Sequence, residues 1–338
     1  MRFRSFVLAL TAVWFAGAIR TVGAQEPQPA AAGAPVATAA TAPASAAPVA
    51  QGAAPEAAKV DIITPHITDA HFIEVPCLSF AHGFACEVEL PRWAPVHVGP
   101  VAIDLSPTKH VVMLLIVALL VCVVLITAAR SQAAQARSGK PPRGFANGVE
   151  AMVLYLRNEV ILPNVGHHGD AFVPYLLTLF FFILFANLLG LVPYMSTATG
   201  NIAVTATLAI ITFFVIEIAG MKALGKGYIN TIIYWPHDMP LAMRIPMSLI
   251  LSPVELLGKF TKPFALTIRL FANMTAGHIV VLAFVGMIFT FQSYYVAPAP
   301  LAMAIAIMFL EMIVALIQAF IFTLLSSVFI GLVRESHH

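Results

Sequence analysis

The sequence predicts an all-α membrane protein with about five helices at membrane depth, and three observations predict it. The chain is 60% hydrophobic and only 10% charged, with a mean hydropathy of +0.90, which is typical of membrane proteins. Its apolar residues are concentrated in runs that are long enough to cross a bilayer. Basic residues follow alternate runs, as expected for cytoplasmic loops. The net charge of +2 gives no indication of a surface for nucleic acid.

The residues before the first apolar span begin with an exported, disordered leader in two parts. Residues 1–24 start with Arg2 and Arg4, continue with an apolar run and end at small residues, which predicts a signal peptide. An uncleaved helix is the alternative. Residues 25–58 are almost entirely Ala, Pro, Gly, Thr and Ser, with too little bulky apolar side chain to offset the entropy of ordering. We therefore expect a disordered Ala/Pro-rich spacer.

Residues 59–105 are interpreted as a small extracytoplasmic segment. Its histidines and acidic residues show no metal-binding spacing with supporting cysteines, so we expect an ordered cap and no metal site. Cys77 and Cys86 flank a short loop, where they could pair or stay free. No cofactor is predicted: residues 220–226 have the spacing of a phosphate loop, but Gly227 stands where Ser or Thr is required.

Residues 106–335 form the predicted transmembrane domain. Its first span covers residues 106–129, because no charge occurs between His110 and Arg130. Four basic residues follow closely, so the positive-inside rule places that loop in the cytoplasm and everything before the span on the other side. Residues 145–165 have helical apolar spacing but carry Glu150 and Glu159, so this segment is expected to lie along the cytoplasmic face.

The second and third spans are predicted at residues 171–194 and 201–219, separated by a short polar turn. Lys222 and Lys226 follow the third span and return the chain to the cytoplasm. Glu217 lies near the cytoplasmic end of this span, where we expect water or a lysine to reach it.

Two overlong apolar segments follow. Residues 246–291 would form a helix of about 69 Å, more than twice the hydrocarbon thickness. This segment must therefore be broken, reach far into the cytoplasmic interface or lie steeply tilted. Residues 301–333 are also overlong, and the two are expected to pair as a long, tilted C-terminal hairpin. Arg334 places the C-terminus in the cytoplasm.

Arg269 is the most informative residue of the chain. It lies within residues 263–292, whose only other titratable group is His278. An arginine at the centre of a span costs about 2.5–3.5 kcal/mol on insertion scales, and it cannot lose its proton. An intramembrane charge of this kind predicts a functional site with an acidic partner. The alternative is an arginine that snorkels to an interface or neutralises a buried acid.

Helical geometry assigns Arg269 to a polar stripe. Glu255, Lys262 and Arg269 are spaced by seven residues, which is 20° short of two full turns, and Asn273 joins them one turn later. His278 is rotated by 900° from Arg269 and falls on the opposite face.

A second polar surface involves His278 and the last helix, where Glu311 and Gln318 are seven residues apart and share a face. We expect these two surfaces to be separate. A fixed cation on one surface and groups that exchange protons on another are what ion translocation against a rotating partner needs. Two buried pairs that merely hold helices together are the alternative.

The run LTIRLFANMTAGH at residues 266–278, with Glu255 before it and IQAFIFTLL after it, resembles subunit a of F-type ATP synthases. The resemblance covers about residues 102–335 and, more weakly, residues 60–101. It implies that Arg269 is the essential arginine of the family, that Asn273 is its usual asparagine, and that Gln318 is the glutamine near that arginine. Glu255 and Lys262 match polar positions that precede the arginine.

Two departures from the family pattern matter. Many bacterial members carry Glu where His278 stands and His where Glu311 stands, so the pair is exchanged here and a relay of one His and one Glu is preserved. Some members carry an aspartate where this chain has Gly190. The acid of the outer half-channel is therefore in doubt, with Asn187 or water as the alternatives.

The resemblance implies a proton-translocating stator that forms two aqueous half-channels beside the c-subunit ring and couples proton flow to rotation and ATP synthesis. The implied partners are a c-ring carboxylate facing Arg269, b-type peripheral stalk subunits, the remaining ATP synthase subunits and the lipid bilayer. The chain alone would carry no catalytic site. The implied location is the bacterial inner membrane, with a periplasmic N-terminus. The competing class is a stand-alone secondary transporter or channel that uses Arg269 as an anion or proton site, although no internal repeat supports it.

Overall fold

The computed structural model describes residues 69–79, 83–93, 96–98, 101–103, 106–137, 144–166, 169–192, 195–231, 240–291 and 295–335. The predicted signal peptide and spacer lie outside the described residues, so both stay predictions. The side chains of Cys77 and Cys86 also lie outside the described part, and the question of their pairing stays open.

In the described part of the chain before Lys109, two short β-hairpins are present. β1 (Phe72–Ser79) pairs antiparallel with β2 (Gly83–Glu89), and β3 (Val96–Val98) pairs antiparallel with β4 (Val101–Ile103). Hydrogen bonds attach this region to the start of the helical domain. The Lys109 N–H donates to the Ala70 carbonyl at 3.0 Å, and the Trp93 N–H donates to Ser106 Oγ at 2.9 Å. The segment before the first span is therefore ordered where it meets the helices.

The helices follow in the predicted order. The first part consists of α1 (Lys109–Arg137), α2 (Phe145–Tyr155), a π-helical turn (Leu156–Ile161) and α3 (Leu162–Val165). The second part consists of α4 (Val173–Gly190), α5 (Ile202–Leu224), α6 (Leu241–Phe291) and α7 (Pro298–Glu335). Among the described residues, five helices (α1, α4, α5, α6 and α7) are long and apolar enough to cross a membrane. The predicted fold class and number of spans are confirmed.

The segment from α2 to α3 is amphipathic rather than spanning. Leu156, Val160 and Ile161 are buried against the bundle, whereas Asn158 and Glu159 are exposed. The π-helical turn contains one residue more per turn than an α-helix, and it contacts α4 and α7. This is the helical segment with one apolar face that the sequence predicts.

The core of the bundle lies around α4. Leu176, Phe180 and Ile183 of α4 are almost completely buried. α1 packs on α4, and α7 packs on α4, α5 and α6. Phe322 and Ile330 of α7 have no exposed surface. In a bilayer such association depends on close packing rather than on removal of apolar surface from water.

α6 is one continuous helix of 51 residues, although Pro246, Pro253 and Pro263 lie within it. Each proline removes one backbone hydrogen bond and favours a bend. The sequence allows a broken helix, a helix that extends beyond the membrane core or a tilted helix. Because α6 is continuous, the broken helix is wrong. A helix of about 77 Å exceeds a hydrocarbon core of about 30 Å, which leaves extension beyond the core or tilt. α7 packs along α6, so the predicted C-terminal hairpin is present.

Candidate functional site

Arg269 lies deep within the candidate span Ile245–Ile288 of α6 and is half-buried. Leu266 and Leu270 beside it are 2% and 0% exposed, so this part of α6 packs tightly against the bundle. Among the described residues, no side chain forms a hydrogen bond or an ion pair with the Arg269 guanidinium. The described part of the chain therefore supplies no counter-charge to this cation.

The earlier members of the arginine stripe lie towards the start of α6. Glu255 is exposed and lies about 21 Å before Arg269 along the helix. Lys262 is half-buried, with its Nζ 4.9 Å from the centre of the Phe329 ring on α7. The structure thus does not bring Glu255 together with the other candidate residues.

Asn273 and Gln318 connect the two helices of the hairpin. Asn273 Nδ2 donates to Gln318 Oε1 at 3.0 Å, and Gln318 is only 2% exposed. The sequence predicted that the stripe of Arg269 and the polar face of α7 are separate. This is wrong, because Asn273 of the stripe forms a hydrogen bond with Gln318 of that face. The reason is the antiparallel packing of α7 on α6, which the spacing within either helix alone does not reveal.

Glu311 is 6% exposed, and its carboxylate packs directly against Gly277. Its Oε1 has no hydrogen-bond partner among the described residues. His278 follows Gly277 on α6 and is half-buried. The hairpin therefore places the Glu311 carboxyl beside the backbone of Gly277, the residue before His278. This contact lies about one helical turn after Asn273 along α6.

Lys259 belongs to a buried polar cluster that no pattern in the sequence predicts. This residue is 6% exposed, and its Nζ lies 3.2 Å from Glu217 Oε2, 2.9 Å from the Tyr228 hydroxyl and 3.1 Å from Thr231 Oγ1. The lysine expected near Glu217 is thus Lys259, and it joins α5 to α6. Their separation of 42 residues leaves no periodic signal that could have revealed the pair. A cavity with room for about one water molecule lies beside it and extends to Leu266.

A second contact that no sequence pattern predicts lies at the start of α1. His110 is 1% exposed, and its Nε2 lies 3.9 Å from Asp69 Oδ1. Its Nδ1 lies 3.4 Å from Ser196 Oγ, in the turn between α4 and α5. Three separate parts of the chain therefore meet at this histidine.

Gly190 lies where some members of the resembled family carry an acid. A Cβ at this position would collide with the Thr197 side chain, so the site has no room for an aspartate without rearrangement. Asn187 is completely buried, and its Oδ1 accepts a hydrogen bond from Thr199 Oγ1 at 2.7 Å. The Asn187 amide and the Thr197 and Thr199 hydroxyls are thus polar groups that the structure places near position 190.

Comparison with known proteins yields one consistent family. The family model described as "ATP synthase A chain" matches residues 111–331, which include every candidate site residue of the hairpin. ATP synthase subunit a of Anaeromyxobacter sp. (strain Fw109-5) is 41% identical over 299 residues, covering 82% of this chain and 71% of the relative. The subunit a of Chloroherpeton thalassium is 43% identical, covering 82% and 78%. The subunit a 2 of Chlorobaculum tepidum is 45% identical, covering 84% and 77%.

Proposed function

Because this chain belongs to the ATP synthase subunit a family, a family of multi-pass membrane proteins that assemble with other ATP synthase subunits, we propose how its own residues move protons. In this proposal the chain forms two aqueous half-channels beside a ring of c subunits and couples proton flow to ring rotation and ATP synthesis. The observation that carries the proposal is Arg269, a half-buried cation at membrane depth for which the described residues supply no counter-charge.

Arg269 separates the two half-channels. A permanently protonated guanidinium attracts an ionised carboxylate of the ring, but it cannot relay a proton from one side to the other. Exposed apolar side chains before Arg269 on α6, including Phe264 and Ile268, give the ring an apolar surface to move against. The driving force is about 2.3 kcal/mol per charge per 100 mV, together with the pH gradient.

His278 and Glu311 deliver the proton on the outer side. A histidine gains and loses a proton near neutral pH, and the buried Glu311 carboxyl lies beside the adjacent Gly277. A proton that passes through these groups neutralises a ring carboxylate, and the neutral site then rotates through lipid. After nearly a full circle it reaches the cytoplasmic half-channel and releases the proton. The Asn273–Gln318 contact holds α7 in register with α6 next to Arg269.

We also propose the orientation and setting of the chain. The basic residues after α1 and α5 support cytoplasmic loops there, with the segment before α1 in the periplasm of a bacterium and the C-terminus in the cytoplasm. Residues 1–24 act as the export signal in this scheme. The ring and b-type peripheral stalk subunits are the direct partners.

Replacement of Arg269 tests the proposal. We expect Arg269→Ala to abolish proton-driven ATP synthesis in membrane vesicles, while the assembled complex still contains its ring and stalk subunits. Arg130→Ala is the matched control, since Arg130 is an exposed arginine near the C-terminal end of α1 and outside the hairpin. Unchanged synthesis in Arg269→Ala would refute the proposal. A stand-alone transporter would purify without ring or stalk subunits.

A further inference from the structure

Buried polar atoms without a partner are concentrated at the start of α1. Among the described residues, they include Asp69 Oδ2, His71 Nδ1 and His110 Nε2. The backbone hydrogen bond from Lys109 to Ala70 brings the two stretches of chain together. Native proteins leave few such atoms, and each one calls for an explanation such as bound water or an ion. Asp69, His71 and His110 thus bring three titratable side chains with unused hydrogen-bonding capacity to this end of the bundle.

Asp69 and His110 form the centre of this cluster. Their side chains are 9% and 2% exposed, with 3.9 Å between Asp69 Oδ1 and His110 Nε2. Burial raises the pKa of the Asp69 carboxyl above its ordinary value, while the Thr108 hydroxyl, the Ala70 N–H and the Lys109 charge act in the opposite direction. His71 is the other titratable neighbour. The carboxyl thus takes up protons closer to neutral pH than an ordinary aspartate does.

Several polar groups lie between this pair and α6. Ser196 Oγ lies 3.4 Å from His110 Nδ1, and the next residue, Thr197, packs against Gly190. A Cβ at Gly200 would lie 3.6 Å from Thr197 Cβ and 3.9 Å from Thr275 Oγ1. The hydroxyls of Thr197 and Thr275 are buried and have no partner among the described residues. Thr275 lies on α6, in the same stretch of helix as Asn273 and Gly277.

Given the proposed function, we infer that Asp69 and His110 form the proton-collecting entrance of the outer half-channel. Asp69, in the segment before α1, thereby provides an acid near the end of α4. Some members of the family carry their acid at the position of Gly190 instead. A proton from outside water binds the Asp69 carboxylate. When the two side chains approach from their separation of 3.9 Å, the carboxyl gives this proton to His110 Nε2 while Nδ1 gives one towards Ser196, so the carboxylate is restored and the ring stays neutral. A turn of the ring, which exchanges the two nitrogens, then prepares it for the next proton. No bond between heavy atoms changes.

The test is ATP synthesis by the whole complex in proteoliposomes whose ATP-synthesising head faces outward. The lumen then corresponds to the outer side, and its pH is varied at constant membrane potential and constant external pH. We expect Asp69→Asn and His110→Gln to raise the lumenal proton concentration for half-maximal synthesis several-fold. The maximal rate at low lumenal pH should change little, because water then supplies protons directly to the later groups. Asp69→Glu keeps a carboxyl group at this position, so its ATP synthesis should depend on lumenal pH as in the wild type.

Glu89→Gln is the matched control, since Glu89 is an exposed acid of β2. An unchanged half-maximal pH in Asp69→Asn would overturn the inference. A loss of rate that is equal at every lumenal pH, with less assembled complex, would also overturn it and identify a purely structural contact. The outcome is separable from the proposed function: if Arg269→Ala is inactive while Asp69→Asn is normal, only the entrance is wrong.

Discussion

The contact between Gly277 and Glu311 allows a sharp test of how the hairpin works. An alanine Cβ at position 277 would lie 2.5 Å from Glu311 Cδ and 2.8 Å from Glu311 Cγ, whereas ordinary contacts begin at 3.4 Å. The obstructing atoms belong to the end of a flexible side chain. The nearest obstructing atom is Glu311 Oε1, so we expect Gly277→Ala to move the Glu311 carboxyl by roughly 1–2 Å and to leave the helices in place.

The expected effect on stability is small, and the effect on function is large. Overpacking costs about 1–3 kcal/mol, and replacing a helical glycine by alanine returns about 0.5–1 kcal/mol. A displacement of about 1 Å in a group that must exchange protons can cost about 100-fold in rate. Gly277→Ala should thus assemble normally but lose most of its ATP-driven proton pumping and its passive proton conduction.

The assay compares pumping by inverted membranes with conduction after the ATP-hydrolysing head has been removed. Gly258→Ala and Gly286→Ala are matched controls on the same helix, because a Cβ at either position meets no atom within 4 Å. Both should pump normally and unfold at a slightly higher temperature. Combining Gly277→Ala with Glu311→Asp removes the overlap and should recover thermal stability. Wild-type pumping by Gly277→Ala would contradict the reasoning.

Three further predictions concern buried polar groups. Exchanging His278 and Glu311 should retain more ATP synthesis than replacing either one by Ala, and a double exchange no better than the single variants would argue against a relay. Asn273→Ala should lower stability by about 1–3 kcal/mol by leaving the buried Gln318 amide unpaired, and thermal unfolding of Asn273→Leu/Gln318→Leu should show a smaller loss. Lys259→Met should cost about 3–5 kcal/mol in the same assay, since its carboxylate partner on α5 is left unpaired; a loss below 1 kcal/mol would show that water compensates it.

The sequence predicted what depends on local pattern. The five spans follow from apolar length, and Arg269 stands out because so few charges surround it. The seven-residue spacing correctly puts Glu311 and Gln318 on one face, since both face α6 in the structure. Such patterns reflect the geometry of single helices, which a sequence records directly.

These patterns could not predict contacts between segments that are distant in the sequence. The Asn273–Gln318 bond depends on the register of α7 on α6, and the pairing of Lys259 depends on where α5 crosses α6. The Asp69–His110 pair joins an irregular segment to a helix. The continuity of α6 through Pro263 and two earlier prolines also depends on its surroundings, because a lone helix loses a hydrogen bond at each one.

The position of α7 has a consequence for biogenesis. α7 fills the groove between α4, α5 and α6, yet it is translated after all three of them. Until it inserts, the surfaces that receive Phe322 and Ile330 face lipid or an insertion factor, and the packing around α4 is incomplete. The nascent chain must therefore remain loosely associated until α7 is added. Ribosome stalling or truncation before α7 should yield a protease-sensitive, incompletely closed bundle.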